Sequence, residues 1–292
     1  MQKQFFPNLC RLALTTTLLF YIYSSFAADK TWSGNADGNF SKPDKWNRAG
    51  APAPTDTLIF PDSVTQRNVT NDLPGGVIVT NILFTGGGYV ISGNLITNIG
   101  VGAAGIHSFF TNTTGLNVIK CDLYTGSGVN EKYFYILAGS ELQLQGMTTN
   151  LAVNGTSPIG WLNLVGGGTV RILNGARSLR GIDLFQGTVI VDGASAVLDA
   201  TGGDPYRLRA SDAVNYPALI VITNGGTMRA SANIQMGMTN QYLPTGGGAI
   251  PGATNRIDIS SGTLELYGGS SSLLMGTVAG SIAIVNQNGG LV

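Results

Sequence analysis

The sequence predicts an all-β protein, a β-solenoid (right-handed parallel β-helix) with an N-terminal cap. The chain has 42 Gly in 292 residues, and only 11 % of its residues are charged. Because glycine costs about 0.5–1 kcal/mol inside a helix, a mainly helical fold is excluded. A short strand motif also recurs along the chain, as stacked repeats require. The balance of 16 Lys+Arg against 16 Asp+Glu excludes a basic nucleic-acid binder.

The first 27 residues carry the pattern of an export signal. Lys3 and Arg11 give a positively charged start, residues 12–23 form an apolar stretch, and residues 25–27 form a small-residue cleavage site. A membrane anchor is the alternative, but this stretch is shorter than the roughly 20 residues that span a bilayer. We therefore expect residues 1–27 to be removed as a signal peptide. The mature chain is then expected to lack a transmembrane segment and to be secreted or associated with the outer membrane or cell surface.

Cysteine usage predicts a fold without disulfides. Cys10 leaves with the signal peptide, so the mature chain keeps only Cys121. A single cysteine cannot form an internal disulfide, so the chain must be stabilised by its own core. We expect Cys121 to be a small buried apolar side chain rather than a reactive thiol.

Residues 28–75 differ in composition from the rest and are predicted to be an N-terminal cap. They contain Trp32, Trp46 and several prolines, and they lack the recurring strand motif. A stacked rod exposes backbone groups and apolar side chains at its first coil, so a covering segment is required. The two tryptophans are predicted to anchor the core, with a sugar-stacking platform as the alternative. Residues 35–39 offer oxygens to Ca²⁺, but an Asx turn is preferred because the spacing of an EF-hand is missing.

A five-residue motif, Gly-Thr followed by three strand positions, recurs in the second half of the chain. Its four strong copies are residues 168–172, 187–191, 226–230 and 262–266. The first and third positions after Thr are mostly apolar, and the position between them holds Arg171, Ile190, Arg229 or Glu265. A period of two puts alternate side chains on opposite faces of a strand, so one face of each copy is predicted to join the core.

The spacing of the motif predicts stacked coils over residues 76–292. Successive Thr anchors stand 19, 39 and 36 residues apart, and we interpret the longer gaps as coils that lack the signature. A repeat of about 20 residues cannot bury its apolar face alone, so it must stack on its neighbours with parallel coils about 4.8 Å apart.

An antiparallel β-sandwich or meander is the alternative fold. Asn224 and Gly225, between two strand patterns, also suit a two-residue hairpin turn. The two folds differ in whether Val170, Val189 and Leu264 stack in register along one axis or face different sheets.

The N-terminal block and the strands after it resemble a known family. The resemblance is carried by residues 31–34 (Thr-Trp-Ser-Gly), 37–40 (Asp-Gly-Asn-Phe), 45–47 (Lys-Trp-Asn), 53–54 (Ala-Pro) and 56–60 (Asp-Thr-Leu-Ile-Phe). With the recurring Gly-Gly and Gly-Thr strands, these residues resemble the large secreted proteins of Gram-negative bacteria that carry autotransporter-associated β-strand repeats. The resemblance implies an exported, passenger-like β-helix, often adhesive or part of a surface layer and without a defined active site. The chain departs from that pattern because it has no C-terminal translocator barrel, so we expect it to be truncated at its C-terminus.

A carbohydrate-active β-helix enzyme, such as a polysaccharide lyase or glycosidase, is the alternative function. The candidate groove residues are Asp183, Asp192, Asp199, Asp204, Arg207 and Arg209. Two carboxylates serve as acid and base only when they lie roughly 5–9.5 Å apart. The sequence patterns of polygalacturonase-like enzymes and of lyases are absent, and Asp after a strand is ordinary turn chemistry.

Residues 199–209 form the most charged segment in a sparsely charged region and are predicted to be a loop that interrupts the repeat. Insertions in solenoids often carry function, so this segment is the candidate ligand site, with a simple solvated loop as the alternative. Its candidate ligand-binding residues are Asp199, Asp204, Tyr206, Arg207 and Arg209. The single histidine, His107, and the single mature cysteine argue against a zinc site. We predict no catalytic residue, metal or cofactor, and a surface scaffold whose partners are glycans or neighbouring surface molecules.

Overall fold

The structure is a computed structural model. It describes residues 28–34, 38–48, 50–98, 108–125, 132–150, 162–178, 182–200, 206–208, 217–237, 253–268, 271–275 and 281–292. The expected signal peptide, the Asx turn at 35–39 (apart from its last two residues) and His107 lie outside these ranges. In the described part of the chain, no helix has the length and apolar character needed to cross a membrane.

The described residues form β-strands, with a single 3₁₀ turn at Pro43–Lys45. In chain order the strands are β1 (Asp29–Thr31), β2 (Asp56–Phe60), β3 (Asn68–Asn71), β4 (Val77–Phe84), β5 (Val90–Gly93), β6 (Ile96–Asn98), β7 (Ser108–Asn112), β8 (Leu116–Ile119), β9 (Leu123–Thr125), β10 (Lys132–Ile136), β11 (Glu141–Leu144), β12 (Thr148–Asn150), β13 (Leu162–Val165), β14 (Thr169–Ile172), β15 (Gly175–Ser178), β16 (Ile182–Leu184), β17 (Gly187–Asp192), β18 (Val197–Ala200), β19 (Tyr206–Leu208), β20 (Ala218–Thr223), β21 (Thr227–Ala230), β22 (Ile234–Met236), β23 (Thr254–Ile259), β24 (Thr263–Leu266), β25 (Leu273–Met275) and β26 (Ile282–Gln287).

These strands stack into three ladders, and every pairing between them is parallel. Ladder A contains β1, β2, the second half of β4, β7, β10, β13, β16, β19, β22 and β25. Ladder B contains β3, β5, β8, β11, β14, β17, β20, β23 and β26, and ladder C contains the first half of β4, β6, β9, β12, β15, β18, β21 and β24. From β2 onward the chain visits A, B and C in turn, so one coil contains one strand segment from each ladder. The predicted all-β solenoid is confirmed.

The antiparallel alternative is wrong, and the turn that suggested it has another use. Asn224 and Gly225 have φ angles of 52° and 82°, in the left-handed region that Asn and Gly tolerate best. They join β20 of ladder B to β21 of ladder C. The turn therefore takes the chain around a corner between two faces of a coil instead of folding it back into a hairpin.

Copies of the strand motif lie in two different ladders. Val170 and Val189 are register partners in ladder B. Leu264 lies in ladder C, where its register partner is Met228. The motif recurs on two faces because any strand that follows a tight turn and buries one side has the same local requirements.

Coil length varies more than the sequence spacing suggested. Thr169 and Thr188 are register partners 19 residues apart, and Thr227 and Thr263 are register partners 36 residues apart, so each gap is one coil. The 39-residue gap from Thr188 to Thr227 crosses from ladder B to ladder C. The interpretation of a longer gap as a coil that lacks the signature is therefore wrong for the 36-residue gap, since Thr227 and Thr263 lie on adjacent coils.

The core lies between the three ladders and consists of in-register columns of apolar side chains. One column of ladder B contains Val69, Ile91, Ile119, Leu144, Ile172, Val191, Ile222 and Ile259, all buried. Each side chain of this kind contributes roughly 1.5–3 kcal/mol when it leaves water. The coils are therefore held together mainly by aliphatic contacts along the axis of the stack.

The N-terminal segment packs an aromatic cluster on the first coil. Trp32 and Trp46 are buried, and their rings meet edge to face with centroids 5.2 Å apart. Phe40 and Phe60 lie against Trp46 with centroids 5.3 and 6.2 Å away. The prediction that both tryptophans anchor the core is confirmed. β1, β2 and β3, which also lie within residues 28–75, already pair in ladders A and B.

Candidate functional site

The structure divides the predicted ligand segment between two faces of the coil. Asp199 lies in β18 of ladder C, whereas Tyr206 and Arg207 lie in β19 of ladder A. Asp204 and Arg209 are outside the described residues. The expectation of one continuous loop is therefore wrong, because residues 199–200 and 206–208 belong to strands. Ligand binding by these five residues stays a prediction.

Asp183, a candidate for an enzyme groove, is buried. It lies in β16 next to Asn163 of β13, its register partner, and both side chains are shielded from solvent. The backbone of Arg207 pairs with Asp183 on the following coil. Asp183 therefore does not line an exposed groove where a polysaccharide could lie.

The outward side of ladder B carries an ion-pair cluster that spans three coils. Arg171 of β14 donates from Nε to Oε1 of Glu141 at 2.8 Å and from Nη1 to Oδ2 of Asp192 at 2.6 Å. Asn224 donates to the other oxygen of Asp192 at 2.7 Å, and Gln143 donates to Oε1 of Glu141 at 2.9 Å. The strands place these groups together because outward positions of adjacent coils lie about 4.8 Å apart.

Electrostatics keep both carboxylates of this cluster ionised. Burial raises the pKa of Glu141, but hydrogen bonds from Arg171 and Gln143 and the charge of Arg171 outweigh it, so the pKa is lowered. The hydrogen bond from Asn224 lowers the pKa of Asp192, burial opposes it, and Arg171 lowers it further. A general acid for glycoside cleavage needs a raised pKa. We call Glu141, Gln143, Arg171, Asp192 and Asn224 the Arg171 cluster. It is arranged as a structural ion-pair network rather than as an acid/base pair for catalysis.

The outward side of ladder C carries a second polar cluster, which includes Asp199. Asp199, Arg229 and Glu265 are successive register partners on β18, β21 and β24. Nε of Arg229 donates to Oε2 of Glu265 at 2.8 Å. The hydroxyl of Tyr267, just after β24, donates to Oδ1 of Asp199 at 3.2 Å. We call these four residues the Tyr267 cluster.

Three members of the Tyr267 cluster were not predicted to belong to a site. Arg229 and Glu265 occupy the variable position of the strand motif, and Tyr267 follows it. That position faces solvent and is charged in three of the four strong copies, which is a usable signal. This signal identifies neighbouring residues only when the residues at which each coil begins and ends are known. The motif does not give those residues.

Metal binding has no support in the described part of the chain. There, no group of three or more His, Cys, Asp or Glu side chains is placed to hold a metal ion. Cys121 is buried, as expected, and burial raises the pKa of its thiol to about 12. A thiol with that pKa stays protonated and is a poor nucleophile at neutral pH.

Comparison with known proteins finds a distant relative. The chain is 26 % identical to a protein named Adhesin BmaC autotransporter from Brucella suis biovar 1 (strain 1330), in an alignment of 278 residues that covers 88 % of this chain. The aligned region spans 7 % of the length of that relative. No protein-family model matches the chain, and no solved structure matches it. Over most of its length, this parallel β-solenoid is thus distantly similar to a protein named as an autotransporter adhesin.

Proposed function

We propose that the chain is an exported, non-catalytic β-solenoid that acts as an adhesin-like scaffold, secreted or held at a cell surface. The observation that carries the proposal is the register of the ladders. Outward residues of successive coils form continuous rows, as Thr169 and Thr188 do in ladder B and Thr227 and Thr263 do in ladder C. Such a surface offers many weak contacts along its length, which suits adhesion through multivalency.

The distant likeness to a protein named as an autotransporter adhesin supports the same proposal. The partners are glycans or neighbouring surface molecules. Residues 1–27 direct export, residues 28–75 cap the stack, and residues 76–292 form the presenting solenoid. The Arg171 cluster supports a scaffold rather than an enzyme, because its two carboxylates are ionised and shared with one guanidinium.

Adhesion is tested with beads coated with purified chain comprising residues 28–292. We expect several-fold more of these beads than of albumin-coated beads to attach to a layer of cultured epithelial cells. In parallel, the soluble chain is incubated with plant and algal polysaccharides, and new reducing ends and unsaturated products are assayed. Attachment at the albumin level would overturn the proposal, and polysaccharide cleavage would favour the alternative, a carbohydrate-active enzyme.

Export is tested in a Gram-negative host. The full chain is compared with a variant in which the apolar stretch at 12–23 is interrupted by Leu18→Arg and Leu19→Arg. We expect the unaltered chain outside the inner membrane, shortened by the signal peptide, and the variant at full length in the cytoplasm. Equal cytoplasmic retention of both would contradict export.

A further inference from the structure

The Tyr267 cluster combines an exposed aromatic ring with fixed polar groups. Tyr267 is 46 % exposed, yet its hydroxyl is held by Asp199, two coils away in ladder C. Arg229, on the coil after that of Asp199, forms an ion pair with Glu265 on the next coil, and their side chains are 48 % and 43 % exposed. The ring is therefore oriented by a hydrogen bond, and the ion pair of Arg229 and Glu265 lies in the same register row as Asp199.

This combination matches the chemistry of a sugar. A pyranose ring has a face of C–H groups that packs on an aromatic ring, and its hydroxyls both donate and accept hydrogen bonds. The carboxylate of Glu265 accepts from hydroxyls, and the N–H groups of Arg229 other than Nε donate to them. Because these groups are already oriented by their own hydrogen bonds, little side-chain entropy is lost when a ligand binds.

The charges of the row favour a neutral ligand. Asp199 and Glu265 carry negative charge, and Arg229 carries positive charge between them in the register. One cation therefore stands against two carboxylates, so the row has no excess positive charge with which to attract an acidic sugar.

We propose that the Tyr267 cluster, formed by Asp199, Arg229, Glu265 and Tyr267 on the outer face of ladder C, is a binding subsite for a neutral oligosaccharide. The proposal rests on the proposed adhesive function and specifies the class of its partner. The ring of Tyr267 supplies the stacking surface. The ion pair of Arg229 and Glu265 determines which sugar hydroxyls form hydrogen bonds with the protein.

The test uses purified residues 28–292 on an array of immobilised oligosaccharides. Neutral glucose-, galactose-, mannose- and N-acetylglucosamine-based sugars are compared with sialylated and uronic acid-containing ones. We expect binding to at least one neutral sugar, and at least tenfold weaker binding by Tyr267→Ala. Tyr267→Phe keeps the ring and is expected to lose less than threefold, whereas Glu265→Gln is expected to lose several-fold.

Tyr124→Ala is the matched control. Tyr124 lies on β9 of the same ladder and is 37 % exposed, but it is not part of the Tyr267 cluster. We expect this variant to bind sugars like the unaltered chain, and thermal melts should show that both alanine variants remain folded. Equal binding by Tyr267→Ala and the unaltered chain, or binding to acidic sugars alone, would overturn the subsite.

The bead assay separates this proposal from the proposed function. If coated beads attach to cells while no neutral sugar binds, the subsite is wrong and adhesion stands. If the beads do not attach, the adhesive function itself fails. Loss of bead attachment by Tyr267→Ala but not by Tyr124→Ala would support both.

Discussion

Nη1 of Arg171 lies 2.6 Å from Oδ2 of Asp192, although the two residues belong to different coils. The same guanidinium holds Glu141 of the preceding coil through Nε at 2.8 Å. One cation thus joins three successive coils on the outer face of ladder B, and the side chains are only 19–27 % exposed. The pairs are shielded enough to resist screening by salt better than fully exposed pairs.

The stability contributed by this cluster should depend on pH. The folded-state pKa values of Glu141 and Asp192 are lowered, so their contribution is present above their unfolded pKa values, near 4, and is lost as pH falls through the folded values. We expect Arg171→Met to lower the free energy of unfolding by about 1 kcal/mol at pH 6. Urea unfolding from pH 6 to pH 2 should show the difference shrinking toward zero. Lys120→Met, at an exposed cation, is the control, and a difference that persists unchanged at pH 2 would contradict the assignment.

Val189 lies in a second inward column of ladder B, and its truncation is expected to have a large effect on stability. Val189 is buried between its register partners Val170 and Ile220. Val189→Ala should lower the free energy of unfolding by about 2 kcal/mol, because it removes buried methyl groups and leaves a cavity. Ile190→Ala, at the adjacent outward position, should cost less than about 1 kcal/mol. Urea melts of both variants check the order, and a larger loss at Ile190 would mean that the alternation is inverted.

We expect the substitution of Thr148 by valine to stabilise the folded chain. Its side chain is buried in ladder C, between register partners Leu123 and Ala176, and its hydroxyl has no hydrogen-bond partner among the described residues. Thr148→Val keeps the shape and removes the cost of a buried unpaired hydroxyl, so it should raise the free energy of unfolding by about 1 kcal/mol. Thr227→Val, on the outward side of the same ladder, should change stability little. A thermal melt that shows Thr148→Val to be destabilised would count against the buried placement.

We expect the thiol of Cys121 to react only after the chain unfolds. Its side chain is buried, and burial raises its pKa to about 12, so about one thiol in 10⁴ is ionised at pH 8. Labelling of residues 28–292 with a disulfide reagent at pH 8 should be negligible in buffer and complete in 6 M guanidinium. Rapid labelling of the folded chain would contradict the burial of this thiol.

Local features of the fold were predictable from the sequence. The alternation within 168–172 correctly placed Val170 in the core and Arg171 on the surface, because the period of two is a property of the extended backbone itself. The burial of Trp32 and Trp46 was predictable for a similar reason, since a stacked rod must cover the apolar side chains of its first coil. Both inferences use only neighbouring residues and the cost of exposing apolar surface.

Pairings between coils were not predictable. The copies at 168–172 and 226–230 are alike in sequence, yet one lies in ladder B and the other in ladder C. The number of residues between successive strands differs from coil to coil, and nothing in the motif encodes it. For that reason the predicted loop at 199–209 proved to include strand residues of two ladders, and Tyr267 was not linked to Asp199.

The sequence by itself determined that this protein is all-β, which side of each strand faces the core, and that repeating units must stack to bury that side. Only the tertiary structure decided which outward residues become neighbours, such as Arg171 with Asp192 and Tyr267 with Asp199. The reason is physical: burial of an apolar face is a local requirement that each strand carries in its own residues. Which residues become neighbours on the surface of a solenoid depends instead on the number of residues in each coil.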